Sequence, residues 1–96
     1  MPRALVLNAS DNVATLVDPG REGEDVSLRG EGQGTIRLAA DIGYGHKLAT
    51  RAVAKGEDIL KYGIVIGRAT KAITPGQHVH VHNVEALRGR GDKEQS

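Results

Sequence analysis

Four histidines are the residues of this 96-residue chain best equipped for chemistry, and three of them, His78, His80 and His82, fall on alternate positions in the stretch GQHVHVHNVE. Imidazole titrates near neutral pH and is the commonest metal ligand among side chains, so such a row can hold an ion, move protons, or line a solvated face. On a strand the side-chain period is 2, which puts the three rings on one face and Val79 and Val81 on the other. Same-face neighbours lie roughly 6.5–7 Å apart along a strand, so two rings, rarely three, converge on one ion. Further ligands must come from elsewhere, and His46, Asp41, Glu57, Asp58 and Glu85 are available, none at a diagnostic spacing. Asn83 breaks the alternation: it must find hydrogen bonds if buried, or it ends the strand in a turn.

A second group is Asp41-Ile42-Gly43-Tyr44-Gly45-His46-Lys47. Its glycines let the backbone turn sharply or approach a ligand closely, and His46-Lys47 then presents a titratable pair. Gly-Tyr-Gly lacks the strand, the third glycine and the acidic residue of a dinucleotide fingerprint. In Lys61-Tyr62-Gly63, Tyr62 most simply packs and Lys61 most simply is solvated. No Ser/His/Asp or paired-carboxylate arrangement stands at a catalytic spacing.

The elements that must position these groups read as short strands. Ala4–Leu7 and Asn12–Val17 are strand candidates separated by Ser10-Asp11, and Asp18-Pro19-Gly20 ends the second. Val26 and Leu28, then Ile36 and Leu38, alternate with polar residues around the hairpin loop Gly30–Gly34. Ile59–Tyr62 and Ile64–Ile66 flank Gly63, Ala72-Ile73 leads to Thr74-Pro75-Gly76, and Gln77–Val84 is the last strand. Only Lys47–Lys55 has a spacing that suits a short helix, and a strand fits it nearly as well. The pattern predicts a compact all-β domain over residues 1–87 that folds back on itself in tight turns, without internal repeats. Arg88–Ser96 carries no apolar residue and is expected to be a flexible polar tail.

Composition bounds the function. A formal charge of +1 gives no polybasic field for nucleic acid or an anionic membrane. No apolar run approaches the roughly 20 residues of a spanning helix, and the N-terminal apolar stretch is too short for a signal sequence. With no cysteine, disulfides, thiolate metal sites and cysteine nucleophiles are excluded, which suits a soluble protein of the reducing cytoplasm. Asn8-Ala9-Ser10 and Arg90-Gly91-Asp92 are read as accidental matches to a glycosylation sequon and an adhesion motif. The core must come from Val, Ile, Leu and Ala, because there is no Phe or Trp and only Tyr44 and Tyr62. A domain of this size buries only about 60–65% of its unfolded surface. An isolated chain is therefore marginal, and a partner is expected, either a different subunit or a second copy.

Several segments in order carry a resemblance: Asp11-Asn12-Val13-Ala14-Thr15, Gly45-His46-Lys47-Leu48-Ala49, Lys55–Gly63, Ile66-Gly67-Arg68-Ala69-Thr70 and Gly76–Asn83. Over about residues 8–87 the chain resembles the SAF (antifreeze-like, β-clip) domain of the altronate and galactarate dehydratase family. It departs at Gly43-Tyr44, where the family often has a proline before Gly-His-Lys, and residues 18–40 carry little of the pattern.

The resemblance implies a small β-clip domain working beside a much larger catalytic one, fused to it or as a separate small subunit; this chain is expected to be the separate kind, inactive alone. It implies β-elimination of water from a sugar acid with a divalent metal, Fe(II) or Mn(II), held mainly by the large partner. Carried over by position, His46, Lys47 and His82 are expected in catalysis, and Lys61, Tyr62 and Asn83 at the substrate. His80 and His82 are expected at the metal, with His78 a less firm match. Two other readings stay open: a sulfolactate sulfo-lyase small subunit, where sulfite is the leaving group, and a non-catalytic module binding carbohydrate, metal or protein.

Overall fold

The computed structural model describes residues 1–86; Leu87 and the tail expected over 88–96 lie outside the described residues. Among the described residues nine strands follow in chain order: β1 Arg3–Val6, β2 Val13–Leu16, β3 Asp25–Gly30, β4 Thr35–Arg37, β5 Lys47–Ala49, β6 Asp58–Lys61, β7 Ile64–Ala69, β8 His78–Val79 and β9 Val84–Ala86. Six form one sheet in the order β4-β3-β1-β2-β5-β8, and three form a second, β6-β7-β9. Every pairing is antiparallel except β1 with β3. No helix forms among the described residues, so the all-β expectation holds.

Period-2 alternation in the central pair β2–β5 feeds two cores at once. Ala14, Leu16 and Leu48 join Ala4, Val6, Val26, Leu38 and Ile42 on one side. Val13 and Ala49 join Val53, Ile59, Ala69, Ile73 and Val79 on the other. Two small aliphatic cores side by side fit an elongated body of 46 × 23 × 21 Å. The segment that might have been helical is strand only at Lys47–Ala49, because Leu48 and Ala49 must reach opposite cores.

The tight turns are one device used four times, a short internal repeat where none was expected. Gly20, Ile42, Val53 and Ile73 each open a copy as a buried bridge residue, paired Gly20 to Ile42 and Val53 to Ile73. A turn follows with glycine at its third position, Gly23, Gly45, Gly56 or Gly76, at φ of 80–88°. That is the left-handed value a type II turn demands there. A strand begins two residues later, at Asp25, Lys47, Asp58 or His78, and its next residue is buried: Val26, Leu48, Ile59 or Val79. Each glycine N–H donates across to a neighbouring segment, at Leu38, Leu16, Ala69 and Ala49 respectively. Gly76 is the most constrained, since a Cβ there would collide with the Arg37 carbonyl.

The expected last strand is the main departure. Pairing stops at Val79, residues 81–83 form a turn, and β9 starts at Val84. Val79 is 2% exposed but Val81 is 81% exposed, so the two valines do not share a buried face. Asn83 ends the strand: its Oδ1 accepts the His80 N–H at 3.0 Å, its Nδ2 donates to the His78 carbonyl at 2.8 Å, and its own N–H returns to the His80 carbonyl at 3.0 Å.

Candidate functional site

His46 ends the second of the four turns, and His78 opens β8, paired with Leu48 of β5. The adjoining loop carries His80 and His82. Four rings thereby gather that a single strand face could not have gathered. His46 Nδ1 lies 3.0 Å from His78 Nε2. The His46 and His80 centroids are 5.2 Å apart, and His78 and His80 are also 5.2 Å apart and nearly parallel at 9°. His82 leans on His78, at 5.5 Å between centroids. One nitrogen from each of His46, His78 and His80 lies within 4.8 Å of the others, which makes these three the candidate metal ligands among the described residues. The geometry thus adds His46 to the expected metal set and gives His82 a flanking place.

The site is basic. Burial, then the fields of His46, His80, His82 and Lys47, pushes His78 below the ordinary histidine value. Burial, then repulsion from Lys61, pushes Lys47 down. Lys47 lies on β5 of the six-stranded sheet and Lys61 on β6 of the three-stranded one. Beside the imidazoles lies a pocket of about 180 Å³ with Ile59, Ile66, Val79 and Val84 in its walls and Lys47 and His80 in its lining. A small apolar pocket with a few convergent polar groups is the usual form of a ligand site.

The remaining expected residues take other positions. Asn83 is 4% exposed and both its side-chain heteroatoms serve the backbone, so it shapes the loop carrying His80 and His82 and offers a substrate no exposed amide. Tyr62 is exposed at the tip of the β6–β7 hairpin, with the Lys61 ammonium 5.1 Å from its ring centroid.

Two residues that spacing gave no reason to single out hold this hairpin in place. Tyr62 and Gly63 both have positive φ, 60° and 70°, as a two-residue type I′ turn requires. Their N–H groups both donate to the Asp11 carboxylate, at 2.9 and 2.8 Å. Next to it, fully buried Asn12 accepts from the Leu60 N–H at 2.8 Å and donates to the Asp58 carbonyl at 2.9 Å, like a ladder rung between the sheets. The signal was a polar pair set against the buried run Val13-Ala14, where a side chain must be satisfied internally.

Fold and site together define a small all-β domain presenting an imidazole cluster beside a small apolar pocket. The chain belongs to the altronate/galactarate dehydratase SAF domain family, whose model matches residues 2–87. It is 42% identical over 77 residues to the altronate dehydratase of Escherichia coli, covering 80% of this chain and 15% of that enzyme. It is 33% identical over 85 residues to the altronate dehydratase of Bacillus subtilis, covering 88% of this chain and 16% of that enzyme. Over 47 residues it is 51% identical to the (2R)-sulfolactate sulfo-lyase subunit alpha of Chromohalobacter salexigens, covering 49% of this chain and 50% of that subunit. The chain thus spans about a sixth of the length of the dehydratases and half that of the sulfo-lyase subunit. No described helix is long and apolar enough to cross a membrane.

Proposed function

We propose that this chain is the SAF part of a lyase that eliminates water from a sugar acid, and that its imidazole cluster forms one wall of an active site completed by a large catalytic partner. The supporting observation is the convergence of His46, His78 and His80 from separate segments beside a pocket lined by Lys47 and His80. Kinship with two altronate dehydratases supports the reaction class.

Three imidazole nitrogens with an exposed approach are a donor set that suits Fe(II), Mn(II) or Zn(II). Such an ion, when bound, supplies Lewis-acid stabilisation of the negative charge that develops on the substrate carboxylate. The residues of this chain do the rest of their share as follows. Lys47 and Lys61 receive the carboxylate and offset its charge as the α-proton leaves. A base takes that proton, the C–H electron pair becomes the new double bond, and the β C–O bond breaks. His82, exposed at the edge of the cluster, donates the proton with which hydroxide departs as water. Asn83 positions the loop, and Tyr62 lies beside Lys61 at the hairpin tip.

A second reading is favoured by the 51% identity to a sulfo-lyase subunit: the same elimination with sulfite leaving. Sulfite departs as a stable anion and needs no proton, so His82 would be dispensable. The test is co-purification with a large dehydratase-like chain, then assays on altronate, galactarate and sulfolactate with added Fe(II) or Mn(II). Dehydration by the pair, absent from either chain alone and lowered by about 10²-fold or more in His82→Ala, is expected. Sulfite release insensitive to His82→Ala selects the second reading. Neither association nor turnover leaves a binding module.

A further inference from the structure

Comparing the four turns with one another singles out His46. In the first, third and fourth copies, the residue after the glycine closes the turn with its side chain. Glu24 Oε1 accepts the Arg21 N–H at 2.7 Å, Glu57 Oε1 accepts the Ala54 N–H at 3.0 Å, and Gln77 Oε1 accepts the Thr74 N–H at 2.8 Å. His46 holds the equivalent place in the second copy, where the corresponding donor belongs to Gly43. Its ring acceptor sits one bond nearer the backbone than a Glu or Gln oxygen, and it points instead at His78, 3.0 Å away. The turn itself is otherwise the same, with the His46 N–H on the Gly43 carbonyl at 3.2 Å and the Gly45 N–H on the Leu16 carbonyl at 2.9 Å. Three copies thus spend this position on folding, among them the fourth, which leads into His78, and the copy that contributes His46 does not.

The second observation is independent of the turns. With metal–nitrogen bonds of about 2.0–2.1 Å, two imidazoles at a tetrahedral angle hold their nitrogens about 3.3–3.4 Å apart. The His46–His78 pair already stands near that separation, and one nitrogen from each of His46, His78 and His80 lies within 4.8 Å of the others. In the metal-free domain one of the paired nitrogens donates its N–H to the other. An ion takes the place of that hydrogen when the donor ring's proton moves to its second nitrogen.

We propose that His46 is a metal ligand kept in place of a turn clasp, so that the metal-free domain is weakest at the residue through which an ion stabilises it. This rests on the metal-bearing reading of the cluster and adds the residue and the coupling to folding. Metal binding and folding are linked whenever the ion binds the folded chain alone.

The experiment uses the full chain and three forms, wild type, His46→Gln and His46→Ala, melted in chelator-treated buffer and then with Zn(II) or Mn(II), alongside calorimetric titration of each metal. His46→Gln restores the acceptor found in the fourth turn without adding charge. Metal-free, it is expected to melt several degrees above wild type, while His46→Ala, lacking an acceptor, does not. With metal the order reverses: wild type gains stability, and both variants bind at least about tenfold more weakly. A metal-free His46→Gln that melts at or below wild type overturns the inference, and so does an equal rise in His46→Ala, which would trace the gain to relief of crowding. Unchanged metal affinity in the variants removes His46 from the ligand set. Wild type binding neither ion overturns the metal-bearing reading itself, and the metal-free melting comparison separates that failure from the others.

Discussion

The surroundings of His78 favour the neutral ring, which is the form that binds a metal. Burial disfavours its charged form first, and His46, His80, His82 and Lys47 add repulsion. A histidine whose folded pKa lies below its unfolded value of about 6.5 binds fewer protons folded than unfolded between the two. Stability from this group is therefore complete above the unfolded value, is lost as pH falls toward the folded value, and is constant below it. Proton NMR titration of the ring C–H resonances should place the His78 midpoint below that of an unstructured histidine, and His78→Asn should shrink the acid loss of melting temperature across that window. A midpoint at or above the ordinary value would refute this account. At this scale much was legible: residue type and spacing drew attention to His78, His80 and His82, and the family resemblance added His46 and Lys47. What spacing could not supply was which rings meet, because His46 and His78 are brought together by the β5–β8 pairing.

The elements show why some readings held and one did not. The β3–β4 and β6–β7 hairpins were legible from alternation broken by glycine. The last strand was overextended because HVHVHN satisfies the strand period through residue 82, while the side chain that ends it acts through local backbone hydrogen bonds that periodicity does not record. The fourfold turn is hard to read from the chain because its copies are short and unequally spaced, although three of them share a Glu or Gln after the glycine. Asn83 supplies the element-scale prediction. Asn83→Ala leaves the His80 N–H and the His78 carbonyl without their side-chain partner, and should cost about 1–3 kcal/mol in urea unfolding. Since the same bonds fix the His80–His82 loop, metal affinity should also fall although no imidazole has been removed. A variant with wild-type affinity and lowered stability would confine Asn83 to a purely structural role.

At the scale of the molecule, the absence of Phe and Trp was answered by dividing the core, with β2 and β5 as the shared wall. That division matters for function because the site lies on the seam: Lys47 and His78 belong to the six-stranded sheet and Lys61 to the three-stranded one. Asn12 bridges the seam with two side-chain hydrogen bonds to β6 while its carbonyl accepts the Thr50 N–H at 3.0 Å. Asn12→Ala removes the side-chain partners of the partly buried Leu60 N–H and Asp58 carbonyl, at a cost of about 1–3 kcal/mol. Because the core around Val26 and Leu38 does not include Asn12, the loss should be uneven. Hydrogen exchange should show faster exchange for β6 and β7 amides while β1 and β3 amides keep their protection, and the pocket between Ile59 and Val79 should loosen with them. Uniform acceleration across both sheets would mean that the two cores unfold as one unit. The site would then depend on the stability of the whole domain, and the seam would hold no special control over the spacing of Lys47 and Lys61.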